Sequence, residues 1–171
     1  VAVWAVKALP YMDRAFGDTL ASLTRRYKAQ VNKLRASNPF GVPMAGGGWA
    51  GDGAIIGYAI TNYYLHEAFP EIIDKESVFS GLNYIFGCHP GSSISFASAV
   101  GVHSKETAYG NNRADFTFIA GGVVPGELIL HPDLPENKED WPFLWGENEY
   151  VIDVGAAYIF LVNAVHKLLE K

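Results

Sequence analysis

Apolar residues recur along this chain at three- and four-residue spacing in several stretches, separated by breaks rich in glycine, proline and asparagine. Residues 1–9 read as the tail of an apolar helix stopped at Pro10. From Asp13 to about Ala36, the residues Phe16, Leu20, Leu23, Tyr27, Val31 and Leu34 keep the helical period while Arg and Lys hold the other face. That predicts a long amphipathic helix, ended by Ser37-Asn38-Pro39. The stretch from Ala50 to about Phe69 is apolar nearly all round (Ile55, Ile56, Tyr58, Ile60, Tyr63, Tyr64, Leu65), which marks a buried helix. After Pro70 a shorter helix runs from Asp74 or Lys75 to about Phe86. The last helix spans about Glu149 to Leu169 and is again apolar around most of its circumference.

Two segments break the helical pattern. Residues 40–49 hold the run Gly46-Gly47-Gly48, a turn and not a phosphate loop, because no strand precedes it and no Lys-Ser/Thr pair follows. Residues 88–148 show no helical period, and short strands are predicted at 116–119 and 128–130. An irregular segment that long inside a compact domain is uncommon and usually functional. Long helices in pairs, some buried on most sides, with excursions gathered between them, predict an all-α chain forming part of an α/α toroid. Residues 1–171 are expected to be a single partial domain, since the first helix starts abruptly and the helices are too few to close a ring.

Composition narrows the function. Half of the 171 residues are apolar and 18% are charged, so a real core is available and disorder is excluded. The net charge is −5, and the densest cationic patch (Arg25-Arg26-Tyr27-Lys28, then Lys33 and Arg35) has solvent-face helical spacing; no nucleic-acid partner is expected. A single cysteine, Cys88, excludes an internal disulfide and a cysteine-based zinc site. No signal peptide opens the chain. The apolar run 152–165 holds Asp153 and Asn163, and its clean core is shorter than the about 20 residues a bilayer requires, so no membrane span is expected. Nine Tyr and four Trp suit a surface that stacks flat ligands such as sugar rings, and equally suit plain core filling.

Three groups of residues carry candidate chemistry. Gly146-Glu147-Asn148-Glu149-Tyr150 follows Trp141-Pro142-Phe143-Leu144-Trp145, so two carboxylates sit where an aromatic loop enters the final helix. A glycosidase needs one carboxyl group that keeps its proton, and burial beside aromatic rings favours the protonated form. A helix N-terminus favours the anion instead, and acids there also serve simply to complement the dipole. Next, Tyr84–Pro90 followed by Ser92–Gly101 and then Tyr109-Gly110-Asn111-Asn112-Arg113-Ala114-Asp115 offers small residues and polar side chains for sugar hydroxyls; an ordinary turn with a local Arg113–Asp115 ion pair reads the same way. Of the histidines, His89 and His103 fall in the irregular segment and suit sugar binding, whereas His66 and His166 lie late in helices. No pair stands at metal-binding spacing, so no metal site is expected. Asp52, after Trp49-Ala50-Gly51, reads as a helix cap.

Asn83-Tyr84-Ile85-Phe86-Gly87-Cys88-His89-Pro90 resembles the N-Y-x-x-G-x-N-P segment of family 9 glycoside hydrolases, the cellulase and endoglucanase group. Ser95-Phe96-Ala97-Ser98-Ala99-Val100-Gly101 is similar to that family's S-Y-V-T-G-F-G, and Asn148-Glu149-Tyr150-Val151-Ile152-Asp153 to its N-E-x-A-x-D. The resemblance implies the C-terminal part of an (α/α)6 catalytic domain, of the six-hairpin glycosidase type. It implies an inverting hydrolysis in which Glu149 is the general acid. The family's Asp base belongs to a D-A-G-D type segment near the start of its catalytic domain, and no such segment occurs here. The chain is therefore expected to lack its partner base and to be inactive alone.

Arg113, His89, His103, Tyr109 and Trp145 are the expected sugar-binding residues. The family's His-His-Arg segment is Asn111-Asn112-Arg113 here, and its aromatic-Asn pair after the acid is Val154-Gly155. These departures point to a divergent branch acting on a β-linked polysaccharide or oligosaccharide. No cofactor is expected, although some relatives support their loops with calcium. Secreted or periplasmic placement follows from the resemblance. The competing expectation is a non-catalytic carbohydrate-binding or scaffold protein that keeps the toroid without the chemistry.

Overall fold

A computed structural model describes residues 2–44, 51–88, 93–105, 118–126 and 149–170. Helix α1 (Ala2–Ala8) runs into a single 3-10 turn at Leu9–Tyr11 that contains Pro10. Helix α2 (Arg14–Ala36) begins where the Asp13 carboxylate accepts from the Phe16 N–H at 2.9 Å as a side-chain cap. Leu20, Thr24 and Val31 form its buried stripe, whereas Leu23, expected on the apolar face, is half exposed.

Helix α3 (Gly51–Ala68) is the centre of the arrangement and packs against α1, α4 (Glu76–Ile85) and α5 (Ile152–Leu169). Ile55, Ile56, Ala59, Tyr63 and Leu65 are buried on it. The α3–α4 crossing is close because Gly81 has no side chain; a Cβ there would stand 2.7 Å from that of Ala59. At the far end Lys167 ties α5 back to α3, donating to the Tyr63 hydroxyl at 3.0 Å and pairing with Glu67 at 3.2 Å. Helix α5 is long and apolar enough to cross a membrane by length and composition alone. Here its stripe of Val154, Leu161, Ala164, Val165 and Leu168 enters the core shared with α3 and α4.

Helix α4 closes as a Schellman motif, with Cys88 N–H donating to Asn83 O at 2.8 Å and Gly87 N–H to Tyr84 O at 2.9 Å. Gly87 has φ 74°, and a Cβ on it would lie 2.8 Å from the Ile94 backbone. No L side chain fits. Past it, β1 (Ile94–Ser95) pairs in parallel with β2 (His103–Ser104), in the register Ile94 to His103. Ala97 bridges antiparallel to Val123. The strand expected at 116–119 does not form over its described half, Phe118–Ile119; extended pairing falls at 94–97, 103–104 and 123 instead. The reason is partner supply: a two- or three-residue strand is defined by what it hydrogen-bonds to, not by its own apolar alternation. The expected strand at 128–130 and the Gly46–Gly48 turn lie outside the described residues.

Two outcomes test this account. Replacing Gly87→Ala should destabilise the fold by about 1–3 kcal/mol in denaturant titration, since it forces a left-handed backbone and a backbone clash together. Asp74, just ahead of α4, accepts from the Ser77 N–H at 2.8 Å and its hydroxyl at 2.7 Å. Partial burial pushes its carboxyl pKa up, but the two Ser77 bonds and nearby Lys28 outweigh that and hold it below the ordinary aspartate value. A depressed folded-state pKa contributes stability above the unfolded value, lost as pH falls through the folded one. Asp74→Ala should therefore cost about 1 kcal/mol at neutral pH, and the difference from the parent should shrink in melts below about pH 4.

Candidate active site

The site lies where the N-terminal ends of α3 and α5 meet the irregular layer. Gly53 brings them together: a Cβ there would be 3.4 Å from the Val154 side chain. Segment 95–98 is anchored below by α4. Phe96 N–H donates to Ile85 O at 2.8 Å, and the buried Ser95 hydroxyl donates to backbone carbonyl oxygens of this junction. The Phe96 ring, wholly buried, stacks on Tyr84 at 5.5 Å, and Tyr84 meets Phe40 edge-on at 6.0 Å. Rings so enclosed contribute about 1.5–3 kcal/mol each through burial.

Segment 121–126 completes the layer and joins it to α3. Val124 N–H donates to Phe96 O at 3.0 Å, and Ser98 N–H to Gly122 O at 2.9 Å. Further along, Pro125 O and Gly126 O accept from Asp52 N–H at 2.8 Å and Gly51 N–H at 2.5 Å. Backbone carbonyls thus satisfy the opening N–H groups of α3. Asp52, expected to stand ahead of the helix as its cap, lies inside the first turn and is fully buried. Its carboxylate presses on Gly126, where a Cβ would come within 2.7 Å of it. Burial on that scale removes Asp52 from any contact with a solvent-borne substrate.

Glu149 is half-buried and stands three residues before the first residue of α5, whose N-cap is Val151. The expected first-turn position is therefore corrected; Asp153 is the first-turn acid, and its carboxylate accepts from the Val154 N–H at 3.0 Å. Among the described residues, Glu149, Tyr150, Val151, Ile152 and Asp153 line an open hollow of about 470 Å³. Ile152 is 86% exposed on its rim. A second hollow of about 290 Å³, between α1, α2 and α3, is lined by residues such as Ala5, Leu20, Tyr27 and Leu65, and holds no carboxylate or imidazole.

Tyr150 pins this corner in place. Its hydroxyl lies 2.8 Å from Ser98 Oγ and accepts from the Ile119 N–H at 3.1 Å. Its ring covers Gly122, where a Cβ would be 2.7 Å from the ring edge. Ser98 and Tyr150 each lie in a motif segment of the sequence, but neither was given a role of its own there, and their contact across 52 positions is invisible to local pattern.

His103 is exposed on β2, its Nδ1 3.4 Å from Ser93 Oγ. His89, Tyr109, Arg113 and Trp145 lie outside the described residues. His66 Nδ1 is 2.6 Å from Ile73 O, which makes it a local brace, and His166 pairs with Glu170 at 3.2 Å on the surface. Among the described residues no group of three or more His, Cys, Asp or Glu side chains is arranged to hold a metal ion.

No protein-family model and no curated protein matches the sequence. Solved structures do. The chain superposes on the cellulase Cel9M of C. cellulolyticium, solved in complex with cellobiose, with a TM-score of 0.72 at 15% identity; 96% of this chain and 39% of that one are covered. The fold is that of the family 9 glycoside hydrolases. A Bacteroides ovatus family 9 protein gives a TM-score of 0.69 at 18% identity, covering 92% of this chain and 30% of the other. The helices described above are thus an arc of the family's (α/α)6 barrel, and the chain spans less than two-fifths of either relative.

Within the motif segments, the family resemblance and the geometry meet at Ala99. Its φ of 60° is left-handed, in a turn closed by Val100 N–H donating to Ala97 O at 3.1 Å and by Ala99 N–H donating to Ser104 Oγ at 3.0 Å. The family segment S-Y-V-T-G-F-G places glycine here. An L residue in this region costs about 1–2 kcal/mol, so Ala99→Gly should raise stability by about 1 kcal/mol, read as an upward shift in denaturation midpoint.

Proposed function

We propose that these residues form the acid-bearing part of an inverting β-glycan hydrolase, with Glu149 as the general acid. The observation that carries the reading is the position of Glu149. It follows Asn148 in an Asn-Glu motif, lines an open hollow ahead of α5, and belongs to a chain with the family 9 fold. In this reaction the protonated carboxyl gives its proton to the glycosidic oxygen as the bond to the sugar breaks. A carboxylate base on the opposite face takes a proton from the attacking water, and in inverting enzymes the two groups stand about 6.5–9.5 Å apart to admit it.

The base is to come from polypeptide beyond the 171 residues, so hydrolysis belongs to the longer chain that unites both halves. Arg113, His89, His103, Tyr109 and Trp145 bind the sugar in this reading: Arg113 by its planar fork, Tyr109 and Trp145 by stacking and hydrogen bonding. The substrate class is a β-linked polysaccharide or oligosaccharide, consistent with a secreted or periplasmic enzyme. A calcium-supported loop, as in some relatives, remains a feature to be assayed by chelation and reloading.

The decisive experiment substitutes Glu149→Gln in the full-length polypeptide and follows release of reducing ends from soluble β-glucan. Loss of general-acid assistance should lower the rate about 10²–10⁴-fold. Activity kept within a few-fold of the parent removes Glu149 from the mechanism. Binding of cello-oligosaccharides with no turnover by the unsubstituted protein selects the non-catalytic carbohydrate-binding alternative.

A further inference from the structure

Resting on the reading of Glu149 as the acid, we propose that Tyr150 is a positioning residue, which fixes where the Glu149 carboxyl stands through a directed relay of hydrogen bonds into the irregular layer. The donors and acceptors assign every proton. The buried Ser98 hydroxyl donates to Lys105 O at 2.5 Å, so its remaining role toward Tyr150 is to accept. The Tyr150 O–H therefore donates to Ser98 Oγ at 2.8 Å, and its oxygen in turn accepts from the Ile119 N–H at 3.1 Å. Three separate stretches of chain, 98–105, 119–122 and 149–150, converge on one phenol.

The ring is held as firmly as the hydroxyl. Its edge lies against Gly122, where a Cβ would stand 2.7 Å from it. Segment 121–124 is itself fixed by bonds to Phe96 and Ser98. Glu149 lies in a β-bridge ahead of α5, one peptide bond away from Tyr150. Its adjacent anchor on the chain is Tyr150. A displacement of about 1 Å at a reacting group can cost 10²-fold in rate, so an anchor one peptide away from the acid acts directly on catalysis.

The test uses the full-length polypeptide and two substrates, cellotetraose and dinitrophenyl β-cellobioside. The second has a leaving group that departs without protonation, so only the first depends on a well-placed acid. Tyr150→Phe keeps the ring and deletes the hydroxyl bonds; Gly122→Ala keeps the hydroxyl, displaces the ring and also presses on the Ile119 carbonyl. Both should lower cellotetraose turnover by about 10²-fold and lower the dinitrophenyl rate at least ten times less. In a Glu149→Gln background, Tyr150→Phe should add almost no further loss, because a residue acting through Glu149 has nothing left to position.

Equal losses on both substrates, additive with Glu149→Gln, would show that Tyr150 only supports the fold and overturn the positioning role alone. So would a Tyr150→Phe protein that keeps parental cellotetraose turnover while Glu149→Gln does not. Retention of activity by Glu149→Gln overturns the acid assignment beneath it. Absence of turnover of either substrate by the unsubstituted protein overturns both.

Discussion

The structure depends on one constraint: the irregular segments laid over the helix ends must find partners for their own backbone N–H and C=O groups. A chain that leaves regular structure near a core cannot leave those groups dry and unpaired. Here segment 95–98 pairs on one side with 103–105 and on the other with 121–124, and the remaining carbonyls of 125–126 receive the opening N–H groups of α3. The same set of bonds therefore closes the layer, starts the central helix and holds the wall of the hollow. Buried Phe96 and Tyr84 supply the apolar weight beneath it.

Several motif residues acquire physical reasons from this layer. Gly87 is glycine because helix α4 must end in a left-handed residue against the Ile94 backbone. Ser95 is small and polar because its hydroxyl must sit, fully buried, among backbone carbonyls of the α4 junction. Ser98 is polar because it links Lys105 to Tyr150. Among their described residues, the segments that resemble family 9 hydrolases thus build the frame around the hollow that Glu149 lines. A fold kept at 15–18% identity is consistent with such a frame: backbone pairing tolerates exchange of most side chains, whereas the few that fill a fixed gap or turn do not.

Helical content was legible because its signal is local. The amphipathic stripe of α2, the nearly uniform apolar surface of α3 and the stop at Pro10 each follow from residues within a turn or two of one another. The boundaries also held to within a few residues. Glu149 was legible as a candidate acid from its aromatic and carboxylate neighbours, although its station ahead of α5, not within it, was missed by three positions. Short strands were misplaced because their existence is decided by a partner elsewhere in the chain.

By itself, then, the sequence determined which stretches are helical, which faces of them are apolar, and where helices stop. Those properties arise from neighbours three or four positions apart, which any reader of the chain can see. Tertiary structure alone decided that Asp52 is sealed under Gly126, that two carbonyls from 125–126 begin α3, and that Tyr150 reaches across to Ser98 and Ile119. Each of these joins residues tens of positions apart, and what selects such a contact is the shared need of distant polar groups for a partner out of water. That need leaves no periodic mark along the chain.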